Sequence, residues 1–278
     1  FDNILLILKH FNETFALPKI SEGARAAVIG TITDTGRFVV TYHGQEVVNA
    51  KASDVTRGLS YDRPYTRPDQ SHQEPNLPAP APSAYNQILL SILGHENVAS
   101  RAPLYETYDK NVQGITVIEP GEADAGVMQP FALDDRYPAE IRAAGIALSV
   151  DQNPRYNLID PYWGGRDAVV EAMRNVAAVG AAPIALTDCL NYGNPEKPEQ
   201  FWAFVEGTRG VAEAAKGIHL KDYPDSSVPI ISGNVSLYKE ANGKPVAPSP
   251  IIACIGRLSD ATKAITMHFK RADSALLM

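Results

Sequence analysis

An α/β fold is predicted for this chain of 278 residues by three observations. Beyond residue 85, short apolar runs alternate with stretches of helical period. Two of those runs pass into segments rich in Gly, Asn and Asp. The composition, 45% hydrophobic and 21% charged, is the ordinary globular mix and leaves room for a sizeable core.

Taken in order, residues 4–8, all Ile or Leu, read as a buried strand. Residues 26–32 read as a second, then a turn at 33–36, a strand at 37–42, a turn at His43 and Gly44, and a strand over 46–49. Residues 1–58 are thus a β-rich meander with too few elements to close a core alone. From 59 to 84 the character changes: Pro64, Pro68 and the proline-rich run 74–82 keep the backbone extended and remove amide donors. The segment reads as a linker on the surface or as a tail between two halves.

The α/β pattern follows. A helix is expected over 85–93, strands over 115–118, 126–131 and 146–150, and a helix over 166–179. In that helix Val169, Ala172, Met173, Val176 and Ala177 share one arc. A strand at 184–187, a helix at 199–216, and strands at 228–232 and 251–257 complete the series. Residues 273–278 resemble the start of a further strand. The first residue is Phe1 and not Met, and the run 4–8 reads as a strand already inside a domain, which is expected of a segment of a longer protein.

The chemistry excludes several classes. The longest apolar runs fall far short of the ~20 residues of a membrane helix. A net charge of -7 offers no basic face for nucleic acid. Cys189 and Cys254 alone make no disulfide framework, which fits a reducing cytoplasm. There is no Gly-x4-Gly-Lys-Ser/Thr loop, no zinc-ligand spacing and no Gly-x-Ser-x-Gly elbow, and the six histidines are scattered.

Three groups of residues remain as candidates. Asp188 stands where an apolar strand gives way to Gly193 and Asn194-Pro195; ligands of α/β sheets gather outside the carboxyl ends of strands, so Asp188 is placed for a metal or a nucleotide hydroxyl. The same residue would also serve to cap its own turn. After the next strand, Gly233 allows close backbone approach to an oxyanion, Asn234 offers a hard oxygen to Mg²⁺, and Ser236 can donate to phosphate. A Gly-Asn pair is also an ordinary turn. Third, Glu171 and Asn175, four apart, share a helix face, and Asp124 precedes a strand; these three suit a cation, or else form a solvated face with Asp167 and Arg174.

The strings DCLNYGNP at 188–195, SGNVSLY at 232–238, GGR at 164–166 and NVAAVG at 175–180, with NPRY at 153–156 and DPY at 160–162, resemble the synthetase subunit of the phosphoribosylformylglycinamidine synthase family. The resemblance is ordered from about residue 97 to 256. It implies a mixed sheet with helices, as in the N-terminal domain of the aminoimidazole ribonucleotide synthetase superfamily. In a family built as a tandem repeat, 1–58 then correspond to the end of the first C-terminal domain and 59–84 to a linker. Residues 85–264 correspond to the second N-terminal domain, and 265–278 to the opening of the last domain.

The implied activity is an ATP- and Mg²⁺-dependent C–N ligation that converts formylglycinamide ribonucleotide to its amidine in purine biosynthesis. Ammonia would come from a glutaminase subunit, with a small bridging subunit and the remainder of the same polypeptide as further partners. Asp188 and Gly233 resemble ATP-binding positions, Asn234 a Mg²⁺-binding one and Ser236 one that contacts the ribotide. Asp124, Glu171 and Asn175 resemble metal positions of an auxiliary nucleotide site in long members of the family. The family's catalytic histidine has no counterpart here, so no catalytic residue and no activity are expected of these residues alone. The stretch 216–228 is longer than the family pattern, and Lys239 replaces its usual Asn. Alternatives are another ATP-dependent enzyme like aminoimidazole ribonucleotide synthetase or selenophosphate synthetase, and a non-catalytic nucleotide-binding scaffold.

Overall fold

The computed structural model describes residues 3–14, 26–58, 60–69 and 76–275. Its contacts divide the chain into two units, Phe1–Asp62 and Arg63–Met278. In the first, α1 (Ile4–Thr14) precedes an antiparallel hairpin of β1 (Arg37–Tyr42) and β2 (Gln45–Lys51), and α2 (Ala52–Arg57) follows. His43 and Gly44 both have positive φ, 49° and 77°, as a two-residue hairpin turn that follows the strand twist requires.

The run at 4–8 is therefore helix, not strand. Ile4, Ile7, Leu8 and Phe11 recur at helical spacing, and Lys9 pairs with Glu13 one turn on at 3.8 Å; a short apolar run by itself does not distinguish the two. Residues 26–32 form no strand either, and Ile29 and Ile32 are fully exposed.

The second unit begins with α3 (Tyr85–Leu93) and the short α4 (Ala102–Tyr105). Strands β3 (Thr116–Ile118) and β4 (Gly126–Met128) follow, then the short α5 (Ala139–Ala143) and β5 (Gly145–Asp151). Next come α6 (Pro154–Ile159), α7 (Pro161–Ala178), β6 (Ala182–Asn191) and α8 (Pro198–Gly217). A hairpin of β7 (His219–Leu220) and β8 (Tyr223–Ser227) takes up the extra length at 216–228. Strand β9 (Ile230–Ser236), the small hairpin of β10 (Glu240–Ala241) and β11 (Lys244–Pro245), and β12 (Ser249–Leu258) end the series. Residues 273–275 are irregular, so the strand expected there is not formed, and 276–278 lie outside the described residues.

Six strands make one mixed sheet in the order β3-β4-β5-β12-β6-β9. Every neighbouring pair is antiparallel except β6 with the edge strand β9. That parallel pair needs a crossover, which α8 supplies. Helices α7 and α8 cover one face, where Val169, Ala172 and Val176 of α7 and Val211 and Ala214 of α8 close on Leu186, Ile252 and Cys254. Ser149 fastens the sheet to α7 by donating to the Ala172 carbonyl at 2.6 Å. Among the described residues the other face is open along β5: Ala147 and Ser149 are buried, whereas Leu148 and Val150 between and beyond them are exposed.

Helix α7 starts five residues before the expected 166. Asp160 caps it, accepting from the amides of Tyr162 and Trp163 at 3.0 and 3.1 Å, and Pro161 takes the first position, where its missing N–H costs nothing. Gly164 and Gly165, which look like breakers, are buried in the helix crossing. A Cβ at Gly165 would strike the Gly207 carbonyl, and one at Gly210 the Tyr162 carbonyl. The part of the supposed linker at 64–68 packs on α8: Thr66 donates to the Pro198 carbonyl at 3.2 Å, and Tyr65 meets Phe201 edge-on.

Candidate functional site

Strands β6 and β9 bring the principal candidates side by side. Their parallel register sets Asp188 opposite Gly233, Cys189 opposite Asn234 and Asn191 opposite Ser236. Both segments expected as loops beyond strands are thus strand. Asp188 lies inside β6, and residues 232–236 lie inside β9. Across the two strands the Thr187 hydroxyl meets Ser232 at its carbonyl (2.9 Å) and its Oγ (2.8 Å).

Strand alternation divides the candidates between two faces. Asp188 shares its face with the buried Leu186 and with Tyr192, whose ring packs edge-on against Phe204 of α8 at 5.3 Å. The Asp188 carboxylate lies directly over Gly233, so close that a Cβ at Gly233 would overlap its oxygens. No hydrogen bond from the described residues reaches it, and burial raises its carboxyl above the ordinary range. Tyr192 is shifted upward as well, first by burial and then by the Asp188 charge. A half-buried carboxylate without donors is costly unless a ligand hydroxyl, amine or cation completes it.

On the opposite, open face Asn234 donates from Nδ2 to Ser236 Oγ at 3.1 Å. That bond is made by the Asn234 amide nitrogen, so no described residue donates to the Asn234 amide oxygen, and the Ser236 hydroxyl proton is left free to donate. Among the described residues no three His, Cys, Asp or Glu side chains converge as a metal-binding group. A Mg²⁺ on this face would therefore take the Asn234 oxygen as its one ligand from β9. Ligand phosphates and water would supply others, a mode that suits a reluctantly dehydrated ion.

The third group is partly assembled. Glu171 and Asn175 lie one turn apart on α7, and Asn175 donates to Asp151 Oδ2 at 2.7 Å. Asp151, at the end of β5, has its carboxyl raised by burial and then by the Glu171 charge. Asp124 is exposed two residues ahead of β4; the antiparallel pairing Gly126↔Leu148 puts that end of β4 beside the end of β5 that carries Asp151. Asp151 was not singled out from sequence. Its signal was available: like Asp188, it is a carboxylate that directly follows an apolar run in the sequence.

The arrangement presents a carboxylate on one face, and an amide oxygen with a hydroxyl on the other, and among the described residues of β6 and β9 no nucleophile is paired with a base. Its acceptors suit a cation or a ligand hydroxyl or amine, and the Ser236 hydroxyl suits an acceptor oxygen.

The family model for the AIR synthase related protein, N-terminal domain, matches residues 123–258. Phosphoribosylformylglycinamidine synthase subunit PurL of Methanothrix thermoacetophila is 50% identical over 272 residues, which is 98% of this chain and 34% of that protein. The chain thus spans about a third of the length of the curated relatives it matches. Among solved structures, T. maritima PurL complexed with ATP aligns with TM-score 0.55 at 25% identity, covering 82% of this chain and 32% of that one. The same protein complexed with FGAR gives the same TM-score, identity and coverage.

Proposed function

This chain is a relative of the synthetase subunit of phosphoribosylformylglycinamidine synthase, and we propose that it supplies one wall of an ATP and ribotide site. The observation that carries the reading is the pairing of Asp188 with Gly233 across β6 and β9, with Asn234 and Ser236 next in the same register. Four residues from motifs more than forty positions apart meet on two adjacent strands.

In the proposed reaction the γ-phosphoryl group of ATP passes to the amide oxygen of formylglycinamide ribonucleotide, releasing ADP. Ammonia then adds at the same carbon and phosphate leaves, giving the amidine. Such transfers depend on positioning and charge neutralisation. Asp188 accepts from a nucleotide hydroxyl or amine, while Gly233 keeps the β9 backbone flat enough for that carboxylate to lie over it. On the opposite, open face Asn234 would hold Mg²⁺, which would supply positive charge to the ligand phosphates, and Ser236 donates to the ribotide. Asp124, Glu171 and Asn175, joined by Asp151, form the wall of an auxiliary metal and nucleotide site.

The domain reading follows the tandem repeat: 1–58 closing one C-terminal domain, 59–84 joining it to an N-terminal domain at 85–264, and 265–278 opening the last domain. The exposed apolar side chains of β5, Leu148 and Val150, are the surface that the remainder of the polypeptide covers. Ammonia reaches the site from a glutaminase subunit, with a small bridging subunit in the assembly. Among the described residues no helix is long and apolar enough to cross a membrane, in keeping with a cytoplasmic setting for this pathway.

Ammonia-dependent synthesis by the complete synthetase subunit tests the reading. Asp188→Ala should raise the KM for ATP at least tenfold, and these 278 residues alone should bind Mg-ATP without turnover. Wild-type kinetics in the variant, or synthesis by the isolated chain, would overturn it.

A further inference from the structure

We infer that Asn191 contacts the same ligand as Ser236. Its amide oxygen accepts a hydrogen bond from an O–H or N–H that sits beside the oxygen to which Ser236 donates. The inference rests on the reading above, in which the open face of β6 and β9 meets the ribotide.

Asn191 lies opposite Ser236 in the parallel register, and both are half-buried. Alternation along β6 puts it on the open face with Thr187, away from Asp188. Its amide is oriented by chemistry: Nδ2 donates to the Cys189 carbonyl at 3.0 Å and lies 3.4 Å from the Cys189 sulfur. A carbonyl only accepts, so the reversed amide would set oxygen against oxygen. Oδ1 is therefore presented away from its own strand, and no described residue donates to it. Ser236 Oγ already accepts from Asn234 Nδ2, which leaves its proton to give away.

The pair thus offers one donor and one acceptor on adjacent strands about 4.8 Å apart. The complementary ligand carries an acceptor oxygen next to a hydroxyl or amide N–H. A phosphorylated sugar with a neighbouring hydroxyl or amide has that pattern; ATP phosphates, which offer acceptors alone, do not, and the nucleotide hydroxyls are assigned above to Asp188 on the opposite face of the sheet. Asn191 accordingly sets specificity for the ribotide and not for the nucleotide.

The test uses the complete synthetase subunit, with ammonia as nitrogen source, and compares Asn191→Leu, Asn191→Ala and Ser236→Ala. Loss of one such hydrogen bond should raise the KM for formylglycinamide ribonucleotide about tenfold in both Asn191 variants. The KM for ATP should stay within about twofold, which a merely structural defect would not spare; Asn191→Ala guards against overpacking by Leu. Unchanged ribotide KM in both Asn191 variants, with a raised value in Ser236→Ala, overturns the inference alone. Unchanged values in all three overturn the assignment of this face to the ribotide as well.

Discussion

The carboxylate of Asp188 occupies the space that a side chain at residue 233 would need, so Gly233 on the adjacent parallel strand is the residue that lets Asp188 lie flat against the sheet. Position 233 therefore acts on the site through Asp188 as well as through its own backbone.

Gly233→Ala is expected to displace the Asp188 carboxylate by forcing a change of rotamer. The obstructing atoms belong to a short side chain that can turn, so the loss of stability should be about 1 kcal/mol. Nucleotide affinity should fall by tenfold or more. Calorimetric titration with Mg-ATP beside a thermal melt separates the two effects, and a large stability loss with intact affinity would contradict the relationship.

Asp188→Asn should stabilise the unliganded protein at neutral pH, by about 0.5 to 1 kcal/mol, while weakening nucleotide binding. Burial raises the carboxyl of Asp188 in the folded state, so the folded form favours the protonated acid. Its contribution is most favourable below the unfolded value and is lost as pH rises through the folded one. The difference in melting temperature between the Asp188→Asn variant and wild type should accordingly shrink as pH falls into the acid range. A difference independent of pH would argue against an uncompensated charge.

Removing the amide oxygen with Asn234→Ala should shift the Mg²⁺ dependence of synthesis to higher concentration, by roughly tenfold, with partial rescue at saturating metal. An unchanged Mg²⁺ titration would exclude residue 234 as a ligand.

Gly210→Leu should be far more disruptive than its distance from the site suggests. The Tyr162 carbonyl fills the place of a Cβ at residue 210, and backbone cannot turn aside as the Asp188 carboxylate can. Overpacking here should cost about 1 to 3 kcal/mol or more, seen as a lower urea midpoint. It should also loosen the tie in which Tyr162 donates to Glu213 at 2.6 Å.

Much of the second unit was legible from residue order. Helices α7 and α8 and strands β5, β6 and β12 follow from apolar period and from strand-forming runs, because those signals depend on neighbours in sequence. The first unit shows where such signals stop. Residues 4–8 and 26–32 are both apolar runs, yet the former begin a helix and the latter form no strand. Five or six apolar residues satisfy either period, and the partners that would decide between them are not local.

By itself the sequence determined the α/β class, the order of the motifs and the candidates Asp188, Gly233, Asn234 and Ser236, since residue type and spacing are intrinsic to the chain. Only the tertiary structure decided that these residues lie within strands and that β6 runs parallel to β9 in one register. It alone sets Asp188 over Gly233 on the helix-covered face, puts Asn191, Asn234 and Ser236 on the open one, and joins Asp151 to Asn175. The physical reason is the two-residue period of a strand: a shift of one position exchanges the faces, and pairing with distant strands, not local preference, selects the register.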